Sequence, residues 1–297
     1  MKKFIPYILI LLVTITTATA NENFPIKVKD CRGKTITIQV PPQKIISLAP
    51  SLTEILCSLG LFDSLAGVTT RCNYPPQVKS LPKIGDVFVD KEKLIALNPD
   101  LVVAEAILSS DMVVPLEKLG LKVLLLDSNN LAGFENTLLT LGKATGTYGK
   151  AKELLSGFKK TLSDYKNYSK NIPGEKHPRV LIEIQARPLF AAGEGTFMSD
   201  IVNLAGGKNI INRLPTGSGP VSLEKVISSD PQVIILTDTT TPEEFLSSPV
   251  WKNTSAARHR RVYSINPDIF VRPTLRLPLA LKQLKEWFNI GPGEPKR

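Results

Sequence analysis

The sequence predicts an α/β protein of two lobes, each built on a mainly parallel sheet, joined by one long α-helix. Three observations predict it. Short apolar runs alternate with helical stretches up to residue 126 and again from residue 180 onward, which marks parallel strands covered on both faces by helices. Between these stretches the alternation stops. From Gly149 to about residue 171 the apolar positions are Ala151, Leu154, Leu155, Phe158, Leu162 and Tyr165, one face of a helix. A helix of about 22 residues spans roughly 33 Å, the width of a small domain, so it can join two lobes. Finally, a phrase of the first half returns in the second.

The elements follow in order. Residues 27–40 alternate around Arg32-Gly33 and read as a hairpin, closed by Pro41-Pro42. Ile45, Ile46, Leu48 and Ala49 form a short buried strand. Pro50-Ser51 make the turn, and residues 52–59 form a helix stopped by Gly60, with Ser51 and Thr53 as candidate caps and Glu54 in its first turn. A strand at 65–69, loops through RCNYPP and Ile84-Gly85-Asp86, and a helix at 91–97 lead to a strand at 101–104. A helix at about 112–119 precedes a strand at 123–126. Beyond the long helix, Pro173-Gly174 breaks the chain and a strand occupies 180–184. Residues 190–195 read as a glycine-bearing turn before a helix at 196–204. Helical 223–227, strand 233–236, a short helix after Pro242, strand 262–265 and an amphipathic helix at 275–288 complete the pattern, and 291–297 form a tail. The expected divisions are 21–148, 149–173 and 174–297.

Residues 1–20 carry Lys2 and Lys3, an apolar run from 4 to 13 and a closing Ala18-Thr19-Ala20. That is the form of a cleaved secretory signal. No Cys stands at the cleavage point, so a lipid anchor is not expected. Removing 1–20 from the 297 residues leaves 277, and losing two lysines lowers the formal charge from +10 to +8. A length of 277 exceeds the usual single core, which agrees with two lobes. No later segment approaches the roughly 18 apolar residues of a spanning helix, so a soluble, extracytoplasmic protein is expected. The basic excess could suggest nucleic acid, but an exported protein rarely meets it. With only His177 and His259 in the chain, a multi-histidine metal site is not expected. Cys31, Cys57 and Cys72 allow one disulfide plus a free thiol, or none.

The repeated phrase is EKLIALNPDLVV at 92–103 and EKVISSDPQVII at 224–235. A helix, a Pro-initiated turn and a buried strand explain the proline and the apolar positions. They do not require a Glu at the head of each phrase. Glu92 and Glu224 therefore read as matched acidic knobs, one per lobe, although the helix dipole also favours Glu at such a position.

The order of motifs resembles a known family. KIISLAPSLTEILCSLGL, VTTRCNYPP, EKLIALNPDLVV, the long helix, LFAAGEGTFMSDIVNLAGGKNI, VSLEKVI and NPDIFVRPTLR follow one another as in the periplasmic substrate-binding proteins of ABC importers for cobalamin, haem and ferric siderophores. The resemblance covers about residues 26–290 and is greatest to the cobalamin-binding members. It implies the class III binding-protein fold, with ligand held in the cleft between the lobes and a stiff connecting helix that permits small closure. It implies that Glu92 and Glu224 dock on arginines of a permease dimer served by ATPase subunits, while this chain stays monomeric. Among cleft residues, Asp268 and Arg272 match an acidic and a basic position facing a corrinoid. An Asp accepts from amide donors and an Arg offers a planar fork. A surface i,i+4 pair is the plainer reading of the same two residues. Phe190, Tyr74 and Phe88 match aromatic positions, and Ser51 and Arg71 complete the expected ligand-binding set. Arg71 and the Gly-Ser-Gly stretch around Ser218 stand where cobalamin-binding relatives carry aromatics. Arg71 could attract an anionic group, which suits a ferric siderophore or haem propionates. The disulfide that some relatives carry in the second lobe is absent, since no Cys follows Cys72.

Enzyme chemistry finds little purchase. GEGTFMSD could cradle a phosphate at a helix N-terminus but lacks the Gly-Lys-Ser/Thr of a P-loop. Cys72 has no neighbouring His in sequence, and Ser51 lacks a G-x-S-x-G setting. No catalytic residue, resident cofactor or metal is expected. A secreted two-lobed enzyme is the contrasting class, and turnover of some substrate would mark it.

Overall fold

A computed structural model describes residues 24–86, 88–106 and 110–289. The leader read at 1–20 and the tail at 291–297 lie outside the described residues. Strands β1 (Ile26–Lys29) and β2 (Thr35–Ile38) pair antiparallel, with Gly33 at φ 80° in their turn. The first lobe follows as β3 (Ile45–Ser47), α1 (Pro50–Ser58), β4 (Leu65–Val68), α2 (Lys91–Ala96), β5 (Leu101–Glu105), α3 (Ser110–Lys118), β6 (Val123–Leu126) and α4 (Leu131–Thr145). Its four-stranded sheet has the order β4-β3-β5-β6 and is parallel throughout. Helix α5 (Tyr148–Lys170) leads to the second lobe. There the chain forms β7 (Arg179–Gln185), β8 (Phe190–Ala192), α6 (Phe197–Leu204), β9 (Lys208–Asn209), β10 (Ser218–Pro220) and α7 (Leu223–Ser228). It continues as β11 (Val233–Leu236), α8 (Pro242–Ser247), α9 (Ser255–Arg258), β12 (Val262–Ser264), α10 (Pro267–Phe270) and α11 (Leu277–Asn289). This six-stranded sheet has the order β10-β8-β7-β11-β12, with β9 also on β7. Strands β7, β9, β11 and β12 are parallel, β8 runs against them, and β10, antiparallel to β8, runs with them again.

The alternation of each strand feeds two helical layers. Ile45, Leu101, Val103, Leu124, Val180, Ile182, Val233 and Ile235 enter one apolar cluster. Their neighbours Ile46, Val102, Ala104 and Val123 enter a second, and Leu181, Ile234 and Leu236 a third. The first cluster is shared by both lobes and passes through Ala151, Leu155 and Phe158 of α5. The predicted stripe on the long helix is therefore the wall of one continuous core. Phe134 of α4 packs on Phe158 at a centroid distance of 5.0 Å and on Phe197 of α6 at 6.4 Å, which joins first lobe, helix and second lobe in three rings. Tilted aromatic pairs at these distances are favourable beyond the area they bury.

Four expectations change in detail. Helix α4 was not foreseen, because Gly133 and Gly142 depress its helix propensity. Gly142 is there for contact: a Cβ on it would come within 2.5 Å of Ala151 Cβ, so the glycine lets α4 and α5 pack closely. Asn130 caps α4 through Gly133 N–H, and Gly146 ends it at φ 74°. Second, Ser51 and Thr53 cap nothing. Helix α1 begins earlier, with Ala49 in the cap position and Pro50 in the first turn, and Thr53 instead bonds Ser47 Oγ at 2.8 Å. Third, Phe190 lies in β8 rather than in a turn, because it completes an antiparallel register with Gln185 and Pro220. The turn follows it, and Thr196 caps α6. Fourth, the short elements β9, β10, α9 and α10 carry too few apolar residues to show a period. Cys31, Cys57 and Cys72 are all free thiols. No helix among the described residues is long and apolar enough to cross a membrane.

Truncating Phe158 to Ala removes the ring that the linking helix contributes to the seam. Loss of a buried Phe typically costs about 3–5 kcal/mol, and urea unfolding of Phe158→Ala is expected to show a loss of that size.

Candidate functional site

In open parallel sheets, ligands bind outside the carboxyl ends of the strands. Contacts between the lobes fall at those ends. Asn73, beyond β4, donates to Asp268 Oδ2 at 2.7 Å, beyond β12. Asn129, beyond β6, accepts from Phe197 N–H at 2.6 Å, and Asp200 accepts from Leu131 N–H at 3.2 Å. Burial raises the Asp200 carboxyl pKa, and the Leu131 bond opposes that rise. The outer strands β4 and β6 of the first sheet are thus pinned to the second lobe. The middle strands β3 and β5 end between them in the sheet order, as β7 and β11 do in the facing sheet.

The β4–β12 edge holds a dense polar network. Glu54 of α1 is 3% exposed. Its carboxylate takes two bonds from Arg276, Nε at 2.7 Å and Nη2 at 2.6 Å, and one from Arg272 Nη1 at 3.1 Å. Arg272 also donates to Asn73 Oδ1 at 2.7 Å and to the Arg71 carbonyl at 3.3 Å, and its Nη2 lies 2.6 Å from Asp268 Oδ1. Arg276 reaches the Asp268 carbonyl at 2.9 Å and lies 4.0 Å above the Tyr74 ring. Two arginines and two carboxylates balance in charge. Forked, charge-assisted bonds of this kind are the strong ones, and removing one partner of a buried pair costs about 3–5 kcal/mol.

The expected cleft residues divide around this network. The structure joins Arg71 (through its carbonyl), Tyr74, Asp268 and Arg272 in it. The Asp268–Arg272 pair is therefore one part of an interlobe assembly and not an isolated surface pair. The Arg71 side chain turns outward and meets Asp86 at 2.8 Å, with both groups well exposed. Phe88 is 90% exposed on the loop between β4 and α2. Ser51 is buried and donates to Glu105 Oε1 at 3.0 Å, and Phe190 begins β8 beside the end of β7. These last three stand outside the network.

Sequence reading missed Asn73, Arg276, Glu105 and Glu183 and misjudged Glu54. On α1 the buried stripe is Leu52, Ile55, Leu56 and Leu59, which puts Glu54 on the face a lone lobe would expose. Glu105 did leave a signal, a carboxyl ending an otherwise apolar strand. Burial raises its pKa to about 7, against the opposing bonds from Ser51 and Ser128. Glu183 is fully buried in β7, and neither of its carboxyl oxygens has a hydrogen-bond partner among the described residues. Burial, with the charge of Asp238, raises its pKa to about 8. Burial and the charges of Glu54 and Cys72 likewise push the Cys57 thiol to about 11, which makes it a poor nucleophile. Among the described residues no group of three or more His, Cys, Asp or Glu is placed to hold a metal ion.

The repeated phrase forms two equivalent structures. Asp90 and Ser222 cap α2 and α7 by accepting from Lys93 and Lys225 N–H. Leu94 and Val226 are buried at the same offset. Asn98 at φ 46° and Asp230 at φ 44° end the helices before Pro99 and Pro231, in the left-handed conformation that Asn and Asp tolerate. Asp100 then accepts from Gln43 and Lys44 N–H, and Gln232 accepts from Arg179 N–H. Each helix runs back against its sheet. Helix α2 starts where Asp90 N–H meets the Ile84 carbonyl beside the end of β4, and its connection returns to Lys44 at the start of β3. Helix α7 starts where Val221 N–H meets the Leu189 carbonyl beside the end of β7, and its connection returns to Arg179. Glu92 and Glu224 are therefore exposed in the first turns of matched helices, both on the cleft side of their lobes.

Comparison with known proteins agrees with this architecture. The profile of a family described as periplasmic binding protein matches residues 45–269. An uncharacterised ABC transporter substrate-binding lipoprotein of Bacillus subtilis, YvrC, is 33% identical over 270 residues, covering 89% of this chain and 86% of the relative. A vitamin B12-binding protein of Pectobacterium carotovorum is 29% identical over 258 residues, covering 85% and 91%. Among solved structures, a periplasmic haem-binding protein of Pseudomonas aeruginosa superposes with a TM-score of 0.74 at 27% identity, covering 83% of this chain and 92% of that one.

The two raised carboxyls set a pH dependence. Folded protein keeps protons on Glu105 and Glu183 where the unfolded chain, at an ordinary 4.5, has lost them. Stability therefore falls as pH rises from 4.5 and levels off above about 8. Thermal unfolding between these limits is expected to show that fall. Glu183→Gln should flatten it and raise Tm at the alkaline end by a few degrees, on the order of 2–4 °C per kcal/mol.

Proposed function

The chain belongs to the periplasmic binding protein family, as an ABC transporter substrate-binding protein of the cobalamin, haem and siderophore type, and from that premise we propose that it captures a corrinoid, cobalamin foremost, in the interlobe cleft for delivery to its importer. The observation that carries the reading is the matched pair Glu92 and Glu224. Two copies of one capped helix present one acidic group each on the cleft side. A two-fold permease dimer offers two equivalent basic sites to such a pair. Complementary charges of this kind mainly speed encounter and fix register. Transport then runs on ATP hydrolysed by the partner subunits, and this chain supplies capture and orientation. Its place of action is the periplasm, reached through the signal at 1–20.

The ligand rests, in this reading, among Ser51, Arg71, Tyr74, Phe88, Phe190, Asp268 and Arg272. Asp268 keeps a partly accessible carboxylate able to accept from amide N–H groups at a corrin rim. Tyr74 and Phe88 offer exposed aromatic faces from one lobe. A second reading, haem or a ferric siderophore, is favoured by one feature. The exposed Arg71 guanidinium lies where a carboxylate of the ligand could displace Asp86.

Calorimetric titration of apo-protein with cyanocobalamin, haem and ferric siderophores separates these readings. Tight binding of cyanocobalamin alone supports the first, and tight binding of an anionic iron ligand that weakens in Arg71→Ala supports the second. Micromolar or weaker binding to all of them sinks the assignment to this ligand group. Glu92→Ala with Glu224→Ala is expected to leave ligand affinity unchanged and to abolish stimulation of transport in reconstituted vesicles. Undiminished transport would show that the two glutamates do not dock.

A further inference from the structure

We infer that Glu54 and Arg276 are positioning residues, forming a clamp that fixes the angle between the lobes and holds Tyr74, Asp268 and Arg272 at the cleft. The grounds are geometric. Glu54 belongs to α1 of the first lobe, and both arginines belong to the segment between α10 and α11 of the second. All three bonds to the Glu54 carboxylate come from the other lobe. Without it, the two guanidinium groups would face each other with Asp268 as their one carboxylate in the network. The fork of Arg276 on Glu54 also sets where its plane lies, and that plane is what Tyr74 rests against. Arg272, held between Glu54 and Asn73, in turn orients the Asp268 carboxylate. The seam of Phe134, Phe158 and Phe197 secures the other interlobe contact. An apolar seam at one edge and an ionic clamp at the other leave the lobes little freedom to hinge.

The clamp is a property of the chain with or without ligand, so its test does not depend on which ligand reading holds. Nitroxide labels are placed on the exposed native Cys31 in the first lobe and on Lys252→Cys in the second, with Cys57 replaced by Ser. Pulsed dipolar spectroscopy on the apo-protein then reads the interlobe distance. A narrow distribution is expected for the parent and a roughly doubled width for Glu54→Gln, since loss of an interface contact frees hinge motion. Arg276→Gln should broaden it similarly. The double variant should be little broader than Glu54→Gln alone, because the bonds between Glu54 and Arg276 are already lost there. Arg276→Lys, which keeps the charge and loses the fork, should fall between. A folded Glu54→Gln with the parent's distribution overturns the inference. If Glu54→Gln does not fold, Arg276→Gln decides by the same criterion, since Arg276 lies outside the apolar clusters of either lobe. In a protein that binds cyanocobalamin, the broadened variants should also release it faster than the parent.

Discussion

Helix α5 carries its apolar stripe into a core that belongs to both lobes, and most of the architecture follows from that constraint. A connecting strand or loop would leave each lobe to close its own core. Here Ala151, Leu155 and Phe158 are shared between them. The rings of Phe134, Phe158 and Phe197 form a contact that cannot part without exposing apolar surface from three elements at once. A packed interior resists continuous deformation. The relative placement of the two sheets is thereby settled where the chain crosses, and the strand ends that face across the gap are brought to a fixed spacing.

On that frame the far edge is closed by charge. Glu54 alone would be an expensive group to remove from water. Two arginines from the facing lobe satisfy it, and Asn73, Asp268 and the Arg71 carbonyl satisfy the arginines in turn. Apolar packing is tolerant of angle, whereas a forked carboxylate–guanidinium pair is not. The two edges therefore contribute different things, cohesion at α5 and orientation at the clamp. The family's function benefits from both: a cleft held near its working shape loses less ordering entropy on binding.

The duplicated helix is the clearest echo between the two halves of the sequence. Caps, buried apolar residue, left-handed Asn or Asp and the following proline recur at identical offsets. Each of these serves the local fold. The glutamates take no part in the caps, which Asp90 and Ser222 supply, and suit the helix dipole alone. Glu92 and Glu224 stand exposed at the head of each unit, outside the capping bonds.

Much of the fold was legible in the residues. Alternating short apolar runs revealed the sheets, the 3.6-residue stripe revealed α5, and the repeated phrase revealed two equivalent units, because each is a pattern of neighbours along the chain. Helix α4 was hidden where glycines serve packing at the expense of propensity. The site was legible only in outline. Asp268 and Arg272 stand four apart and could be paired on paper, but nothing along the chain says that Glu54, more than two hundred residues away, completes them. By its own helix Glu54 belongs on an exposed face, and Glu183 reads as one polar letter in a strand. Most of the elements, their layering and the repeated acidic heads were settled along the chain, since local propensity and periodic burial decide those. Only the tertiary structure decided which charges meet across the gap, because an ion pair is set by distance in space, and the second lobe, not the chain around Glu54, is what removes it from water.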